Sequence, residues 1–219
     1  MARPLPNPPI LLITDRSQAA RPVAQVVQAA FDGGCKWVSI REKDMPSHER
    51  RRLAEELLRL AEPFKARVGV HDDLPLAASL GLRALHLPTG GDIAAAKRQA
   101  DPRCLIGRSA HNAEEIAAIE AAGADYASLS PVYLTQSKPG YGPAIGIEAL
   151  ARTAGDTCLA LVALGGITPA TIGECRHAGA KGAAVMGEVM RADDPARVMT
   201  ALIEAWNGAG AASDQIGSV

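Results

Sequence analysis

Ser39, Arg41 and Lys43 alternate along one segment, "WVSIREK" (37–43), which is apolar at its start and charged at its end. In a β-strand, alternate side chains point to the same face, so the guanidinium and the ammonium would lie together where the strand ends. Two adjacent cations suit a polyanionic ligand such as a diphosphate, whose charge would satisfy both. The spacing therefore predicts an anion site, with a solvated charge cluster as the alternative.

Two later apolar segments both stop at glycine, "LALVALGG" (159–166) and "GAAVMG" (182–187). Glycine has no Cβ, so a phosphate oxygen can approach the backbone N–H groups closely, and the start of a following helix attracts negative charge. Tight turns without a ligand are the alternative. The residues predicted to bind phosphate here are Gly165, Gly166, Met186 and Gly187.

Carboxylates follow the segment "VGVHD" (68–72). Asp72 is predicted to bind a hard cation such as Mg²⁺ together with substrate phosphates, or else Asp72 or Asp73 caps the next helix. His71 is expected to face the other way and to pack. The histidines show no H-E-x-x-H pattern or Cys/His cluster, so a zinc site is not predicted.

Hydroxyl groups follow two further segments. Ser109 ends "LIGRSA", and the long stretch "SPVYLTQSKPGYGP" contains Thr135, Ser137 and Lys138. Hydroxyls and an ammonium on a loop rich in Gly and Pro are typical of a lid over phosphate oxygens, and an ordinary surface turn is the alternative. No G-x-S-x-G surrounds Ser109, so it is not predicted to be a nucleophile.

The segments that carry these residues alternate with Ala/Leu/Glu-rich segments of helical period. Helix starts are predicted at Ser47, Asn112 and Thr168-Pro169, since these side chains suit a first turn. The predicted strands are 10–15, 37–43, 68–72, 84–88, 105–110, 126–132, 159–166 and 182–187.

Eight strand–helix units predict an α/β fold, a single (β/α)₈ TIM barrel with its phosphate site after strands 7 and 8. A doubly wound sheet is the rival, but no G-x-G-x-x-G follows the first strand and no composition break marks a second domain. In a barrel, chemistry lies at the carboxyl ends of the strands and on the loops that follow them, where the residues above are predicted to lie. The predicted organisation is a flexible N-terminal segment (1–9), the barrel (10–207) and a disordered tail (208–219).

Composition narrows the class of protein. The 219-residue chain is 47% hydrophobic but only 3% aromatic, which fits a core of small aliphatic side chains. Its net charge of −1 and its lack of nucleic-acid-binding motifs give no support to nucleic-acid binding. The four cysteines form no C-x-x-C, and neither a signal peptide nor a membrane-spanning run is evident. These features predict a cytoplasmic protein that does not bind membranes.

Several motifs together resemble the thiamine phosphate synthase / thiazole tautomerase superfamily over about Leu11 to Trp206. They are "SIREKD", "HDD", "GRSAH", "GADYASLSPVYLTQSKPG", "ALGGITP" and "AGAKGAAVMG", in this order and spacing. The resemblance implies an enzyme that joins a hydroxymethylpyrimidine diphosphate to a thiazole phosphate and releases pyrophosphate. In that family pyrophosphate leaves to give a pyrimidine-methyl cation, which the thiazole nitrogen captures.

The same resemblance implies roles for individual residues. Arg41, Lys43 and Lys138 would hold the leaving pyrophosphate as catalytic residues, and Gly166 would give its N–H to the thiazole phosphate. Asp72 would bind Mg²⁺, a cofactor of the family. The hydroxyl ligands would be Ser109, Thr135 and Ser137.

The chain departs from the synthase pattern at several positions. Ser39 stands where the family has a Gln that seats the pyrimidine. Gly91 stands at the place of a second Mg²⁺-binding Asp, and Asp92, one residue later, is the predicted second Mg²⁺ ligand. Gly187 replaces a Ser of the last phosphate loop. "LPTGG" is more similar to the tautomerase branch, but that branch uses a His where this chain has Pro131.

Four hypotheses remain open at this point. The first is the synthase, and the second is a thiazole tautomerase-like paralogue in which His71, His86 or His111 replaces the missing base. The third is a non-catalytic binding protein for thiazole phosphate or thiamine phosphate, and a more distant fourth is a sugar-phosphate barrel enzyme. The resemblance also implies a homodimer and phosphorylated small-molecule substrates.

Overall fold

The structure, a computed structural model, describes residues 3–135 and 143–216. Within them eight strands alternate with helices. The strands are β1 (Ile10–Ile13), β2 (Trp37–Ile40), β3 (Arg67–His71), β4 (Ala84–Leu87), β5 (Leu105–Ala110), β6 (Tyr126–Leu129), β7 (Ala160–Leu164) and β8 (Gly182–Val185). The helices are α1 (Val23–Asp32), α2 (Ser47–Ala61), α3 (Leu74–Ser79), α4 (Ile93–Gln99), α5 (Ala113–Ala121), α6 (Gly146–Gly155), α7 (Ile172–His177), α8 (Gly187–Met190) and α9 (Pro195–Ile216).

The eight strands are all parallel and follow one another around a closed barrel, with β1 paired to β8. This confirms the predicted (β/α)₈ barrel over the doubly wound sheet. Each predicted strand is present, although most end earlier than predicted. The second, for example, stops at Ile40, and Arg41 and Lys43 already lie in the loop that follows.

The chain builds two layers of core, one on each face of the barrel wall. Val38 and Ile40 belong to the larger core between strands and helices, whereas Trp37 lies inside the barrel. There the Trp37 ring meets the Tyr126 ring edge-on, with centroids 5.0 Å apart. The Tyr126 ring covers Gly107, where a Cβ would lie 2.1 Å from it. Two aromatic rings therefore fill the barrel interior at this level, which makes the interior a packed core rather than a pore.

Side-chain caps start four of the described helices, and the cap of α9 is Asp194, which accepts the Arg197 N–H over 3.0 Å. Asp73, Asp92 and Asn112 accept hydrogen bonds from backbone N–H groups in the first turns of α3, α4 and α5. The helix predicted to start at Thr168-Pro169 begins later, at Ile172. Thr168 instead lies in a turn, where its N–H donates to Thr171 Oγ1 over 3.0 Å.

Both ends of the described chain contact the barrel or its helices. The segment 3–9, predicted to be flexible, makes specific contacts, because Arg3 pairs with the buried Asp125 at 3.1 Å. Helix α9 extends to Ile216, into the predicted disordered tail 208–219. Arg176 and His177 donate to backbone carbonyls of α9 at Trp206 and Ala209, which stabilises this extension. Among the described residues, none of the helices combines the length and apolar character needed to span a bilayer.

Candidate functional site

A cavity of about 560 Å³ opens at the carboxyl ends of the strands, where a barrel carries its chemistry. Loops from both halves of the barrel line it. Eight residues predicted from the sequence meet there: Arg41, Lys43, Ser109, Thr135, Gly165, Gly166, Met186 and Gly187. Ser137 and Lys138, the other residues of the predicted lid, lie outside the described residues.

The loop after β2 holds the two predicted cations. The backbone N–H of Arg41 donates to Thr14 Oγ1 over 3.0 Å. Between the cations, Glu42 turns inward and is buried, and its carboxylate accepts a hydrogen bond from the Arg16 N–H (3.0 Å). Because Glu42 turns into the protein, its neighbours Arg41 and Lys43 face the cavity, as the alternation of a strand predicts.

Ser39 faces the barrel interior, but it does not line the cavity. Its side chain is buried, and among the described residues its Oγ has no hydrogen-bond partner. The predicted substrate contact of Ser39 stays a prediction, and Ser39 is not among the residues that line the cavity. Ser39 lies too deep inside the barrel to reach the cavity. Arg41, two residues later on the same face, does line it.

The loop after β3 reverses the predicted orientations of His71 and Asp72. Val68 and Val70 pack against the helices, so His71 points into the barrel and lines the cavity. Asp72 is exposed, outside the cavity lining, and has a left-handed backbone with φ +57°. Asp73 takes the alternative role, because it caps α3 and pairs with Arg50 at 2.7 Å.

The described carboxylates do not fit a magnesium site held by two side chains. Asp92 is exposed and accepts the Ala95 N–H at the start of α4 (2.9 Å), so its carboxylate serves as a helix cap. At Gly91, where the family has Asp, a Cβ would lie only 2.8 Å from Leu87 Cβ. In the part of the chain that the structure describes, no group of three His, Cys, Asp or Glu side chains is arranged to bind a metal ion.

A buried imidazole forms the floor of the cavity. His86 is 3% exposed, and burial lowers its pKa to about 4, so the ring is neutral at pH 7. Its Nδ1 lies 3.0 Å from Tyr126 Oη, while its Nε2 lies 2.9 Å from Ser109 Oγ and 3.3 Å from Ser128 Oγ. Burial also raises the pKa of Tyr126, which keeps the phenol protonated.

The hydrogen bonds of His86 assign its tautomer. The phenol donates to Nδ1, because the opposite arrangement would bury an unsatisfied phenol hydrogen. The ring hydrogen is therefore on Nε2 and is donated to Ser109 Oγ. Ser109 accepts from below, so its own hydroxyl hydrogen is available to a ligand in the cavity. Sequence alternation with Ala84 could have placed His86 inside the barrel, but not these partners.

A second imidazole, His111, lines the wall of the cavity after β5. Its Nδ1 donates to the Ser130 carbonyl over 2.8 Å, because a carbonyl oxygen can only accept. A neutral His111 ring therefore carries its lone pair on Nε2. Its backbone N–H donates to Glu115 Oε2 (2.7 Å), which fixes the loop to the start of α5.

The glycine pair after β7 is required by the backbone itself. Gly165 and Gly166 have φ of +98° and +64°, a conformation that side chains with a Cβ rarely adopt. A Cβ on Gly166 would also lie 2.6 Å from the Leu134 carbonyl oxygen, because the loop after β6 crosses this point. Both the predicted phosphate role and the turn alternative are compatible with this geometry.

The short helix α8, which follows β8, and the residue at its end supply two charged side chains that the sequence analysis missed. Glu188 and Arg191 both line the cavity beside Gly187. The guanidinium of Arg191 lies over Gly187, where a Cβ would come within 2.1 Å of Nη1. The signal for Arg191 was its place four residues after Gly187, one helical turn along α8.

Comparisons with known proteins show which family the chain resembles. The model of the thiamine monophosphate synthase family matches residues 10–189. A protein of Geobacter sulfurreducens is 39% identical over 89% of this chain and 93% of its own length. The thiamine-phosphate synthase of Geobacillus kaustophilus is 34% identical over 91% of this chain and 92% of its own.

A solved structure extends the likeness to three dimensions. The thiamine phosphate pyrophosphorylase from Pyrococcus furiosus superposes with a TM-score of 0.82 at 28% identity, over 91% of this chain and 96% of its own. The family match covers all eight strands of the barrel and the start of the loop after β8. On this evidence the chain belongs to the thiamine monophosphate synthase family.

Proposed function

We propose that the protein is a thiamine-phosphate synthase, a transferase that joins hydroxymethylpyrimidine diphosphate to thiazole phosphate and releases pyrophosphate. Curated relatives with that activity match it along nearly their whole length. One observation carries the proposal. Arg41 and Lys43, from the loop after β2, line the same cavity as the glycine segments after β7 and β8. The reaction needs two anion sites in one cavity.

Arg41 and Lys43 would stabilise the departing pyrophosphate. As the C–O bond breaks, negative charge builds on the leaving group, and fixed cations in a partly enclosed site lower the energy of that transition state. The backbone contact to Thr14 and the buried Glu42 hold this loop in place before substrate binds. Lys138, beyond the described residues, stays a predicted third cation of this group.

The hydroxyl of Ser109 would orient the substrate between the two anion sites. His86 donates to Ser109 Oγ, so Ser109 donates its own hydrogen to an acceptor in the cavity, such as a ring nitrogen or a phosphate oxygen. Thr135, at the edge of the described loop, also lines the cavity and would bind a phosphate oxygen. Gly165, Gly166 and Gly187 would bind the thiazole phosphate through backbone N–H groups, which stays a prediction.

Asp72 and Asp92 do not come together as a pair of Mg²⁺ ligands in the described residues. Asp72 is outside the cavity lining and Asp92 caps a helix. The requirement for Mg²⁺ that the family resemblance implies stays a prediction, with Asp72 as its nearest candidate ligand. It is tested by omitting the metal from the assay.

A purified sample with both substrates, assayed with and without Mg²⁺, tests the proposed function. Thiamine phosphate and pyrophosphate should appear in equal amounts, and formation should stop when either substrate is left out. Absence of thiamine phosphate from a folded sample, with Mg²⁺ present, would exclude the synthase.

One observation favours a second candidate, the thiazole tautomerase. His111 lines the cavity, and imidazole is the side chain that most often transfers protons in enzymes. His86 is a poor base, since both its nitrogens are engaged and burial lowers its pKa to about 4. Conversion of the non-aromatic thiazole phosphate should be accelerated by the wild type and lost in His111→Asn if this candidate is right.

The remaining properties belong to the proposal as well. Phosphorylated small molecules are the substrates of the family, and a location in the cytoplasm fits an enzyme that uses them. A homodimer is proposed from the resemblance alone. Light scattering of the purified protein would test it directly.

A further inference from the structure

Arg191 is a further cation that lines the cavity near the loops after β7 and β8. Arg191 follows α8, and its guanidinium reaches back along the helix to lie over Gly187. Helical side chains lean toward the N-terminus, so a residue four positions later covers this glycine. Arg191 therefore occupies the space where a side chain at position 187 would stand.

The loop between β1 and α1 orients Arg191. Gln18 Oε1 accepts a hydrogen bond from the Arg191 guanidinium, and Gln18 Nε2 donates to Asp15 Oδ2 over 2.6 Å. The backbone N–H of Ala20 donates to the Met190 carbonyl (2.9 Å), which joins this loop to α8. A guanidinium that is already oriented loses less conformational entropy when it binds an anion.

Asp15 remains ionised in this arrangement. Burial alone would raise its pKa, but hydrogen bonds from Ser17 and Gln18, together with the charge of Arg41, lower the pKa below its ordinary value. An ionised Asp15 accepts from the Gln18 amide nitrogen, which turns the amide oxygen toward Arg191. The chain of contacts thus specifies which way the Gln18 amide points.

A negatively charged side chain near the β7–β8 loops would oppose phosphate binding unless a cation offsets it. Glu188 is the acidic side chain among the described residues that line the cavity. A phosphate bound near Gly166 and Gly187 would be repelled by this carboxylate. Arg191 lies on the same side, whereas Arg41 and Lys43 follow β2.

We infer that Arg191 binds the phosphate of the thiazole substrate and that Gln18 positions it. The inference rests on the proposed function for the identity of the ligand, and it adds a specificity-determining residue to that site. Arginine binds phosphate oxygens in a forked, often bidentate geometry that lysine does not reproduce. Arg191 would thus replace the contact that a hydroxyl at position 187 would otherwise make.

Calorimetric titration tests the inference with two probes, thiazole phosphate and the corresponding unphosphorylated thiazole alcohol. Arg191→Gln should raise the Kd for the phosphate about tenfold or more, as expected for a lost hydrogen bond between charged groups, and leave the Kd for the alcohol unchanged. Arg191→Lys should recover only part of the affinity, and Gln18→Ala should raise the Kd roughly two- to threefold. Arg197→Gln, an exposed arginine on α9, is the matched control and should behave as wild type.

A second variant separates ligand binding from a merely structural role. Glu188→Gln removes the opposing charge and should lower the Kd for thiazole phosphate, by roughly two- to threefold. Equal Kd values in wild type and Arg191→Gln, or no binding of thiazole phosphate by the wild type, would overturn the inference. An equal loss of affinity for the alcohol would overturn it too, because it would indicate a structural defect.

The proposed function can fail separately. If the wild type makes no thiamine phosphate but binds thiazole phosphate in an Arg191-dependent way, the synthase is excluded and this inference stands. If thiamine phosphate forms at the same rate and the same KM in wild type and Arg191→Gln, the synthase stands and this inference is overturned.

Discussion

The two sides of the cavity present positive charge in different ways. On the β2 side, Arg41 and Lys43 alternate with the buried Glu42, so the direction of each side chain follows from the strand that precedes it. On the β7–β8 side, glycine loops expose the backbone, and Arg191 reaches the cavity from the far end of a short helix. The first arrangement is local in sequence, whereas the second depends on three separate loops meeting.

The largest predicted effect belongs to the β2 side. Arg41→Gln should lower kcat for thiamine phosphate formation by about 10²–10³-fold, because it removes a charge that stabilises the leaving group in the transition state. Steady-state kinetics with both substrates would measure it. A change in KM alone, with kcat preserved, would show that Arg41 contributes only to ground-state binding.

Substitution in the glycine pair after β7 should lower the stability of the fold. Gly166→Ala forces a Cβ into a left-handed backbone and against the Leu134 carbonyl oxygen at 2.6 Å. The free energy of unfolding should fall by about 2–4 kcal/mol, since the conformational cost adds to the steric one. Gly146→Ala is the matched control. Its φ is +78° but nothing lies within 4 Å of the added Cβ, so only the conformational part should remain.

Denaturant unfolding of both variants gives this comparison. If Gly166→Ala and Gly146→Ala lose the same stability, the close approach of the loop after β6 has no energetic consequence. The crossing of loops at Gly166 would then not be what fixes this side of the cavity.

His86, at the floor of the cavity, should make the free energy of unfolding depend on pH. The pKa of His86 is about 4 in the folded protein and ordinarily about 6.5, so the unfolded chain binds the extra proton first as pH falls. His86 therefore contributes stability fully above pH 6.5, and this contribution is lost between about pH 6.5 and 4. The total is roughly 3 kcal/mol, from the shift in pKa.

Unfolding free energies measured from pH 4 to 8 would show this slope. In His86→Gln the slope over that interval should be shallower by the share that His86 supplies, because glutamine does not titrate. An unchanged slope would show that His86 is not buried as a neutral ring.

The smallest predicted effect is a difference in stability between substitutions of two neighbouring carboxylates after β3, Asp72 and Asp73. Asp73→Ala should cost about 1–2 kcal/mol of unfolding free energy, because it removes a helix cap and the pair with Arg50. Asp72→Ala should cost less than about 0.5 kcal/mol, since Asp72 is exposed. Thermal or denaturant unfolding distinguishes them, and the reverse order of losses would contradict the assigned cap.

Features that are set by residues close together in the sequence could be predicted from it. Eight strand–helix units, the register of Arg41 and Lys43, and the glycine pair all follow from residue types and short spacings, and the structure contains them. The orientation of His71 and Asp72 was predicted wrongly. Asp72 leaves the strand in a left-handed conformation, and His71 keeps the strand alternation that places it inside the barrel.

The rest depends on contacts between distant parts of the chain. Gln18 and Arg191 are 173 residues apart, and His86 meets Tyr126 and Ser109 only because β4, β5 and β6 are neighbours in the barrel. The continuation of α9 depends on Arg176 and His177 of another helix. No periodicity or motif in one segment contains this information.

The division of the cavity into two anion sites can be tested with one variant and two ligands. Calorimetry of wild type and Arg41→Gln with pyrophosphate and with thiazole phosphate measures both sides separately. The account predicts that Arg41→Gln raises the Kd for pyrophosphate about tenfold or more and changes the Kd for thiazole phosphate by less than about twofold, since Arg41 acts on that site only through Asp15. Loss of thiazole phosphate binding in parallel with pyrophosphate binding, or no change in either, would contradict it.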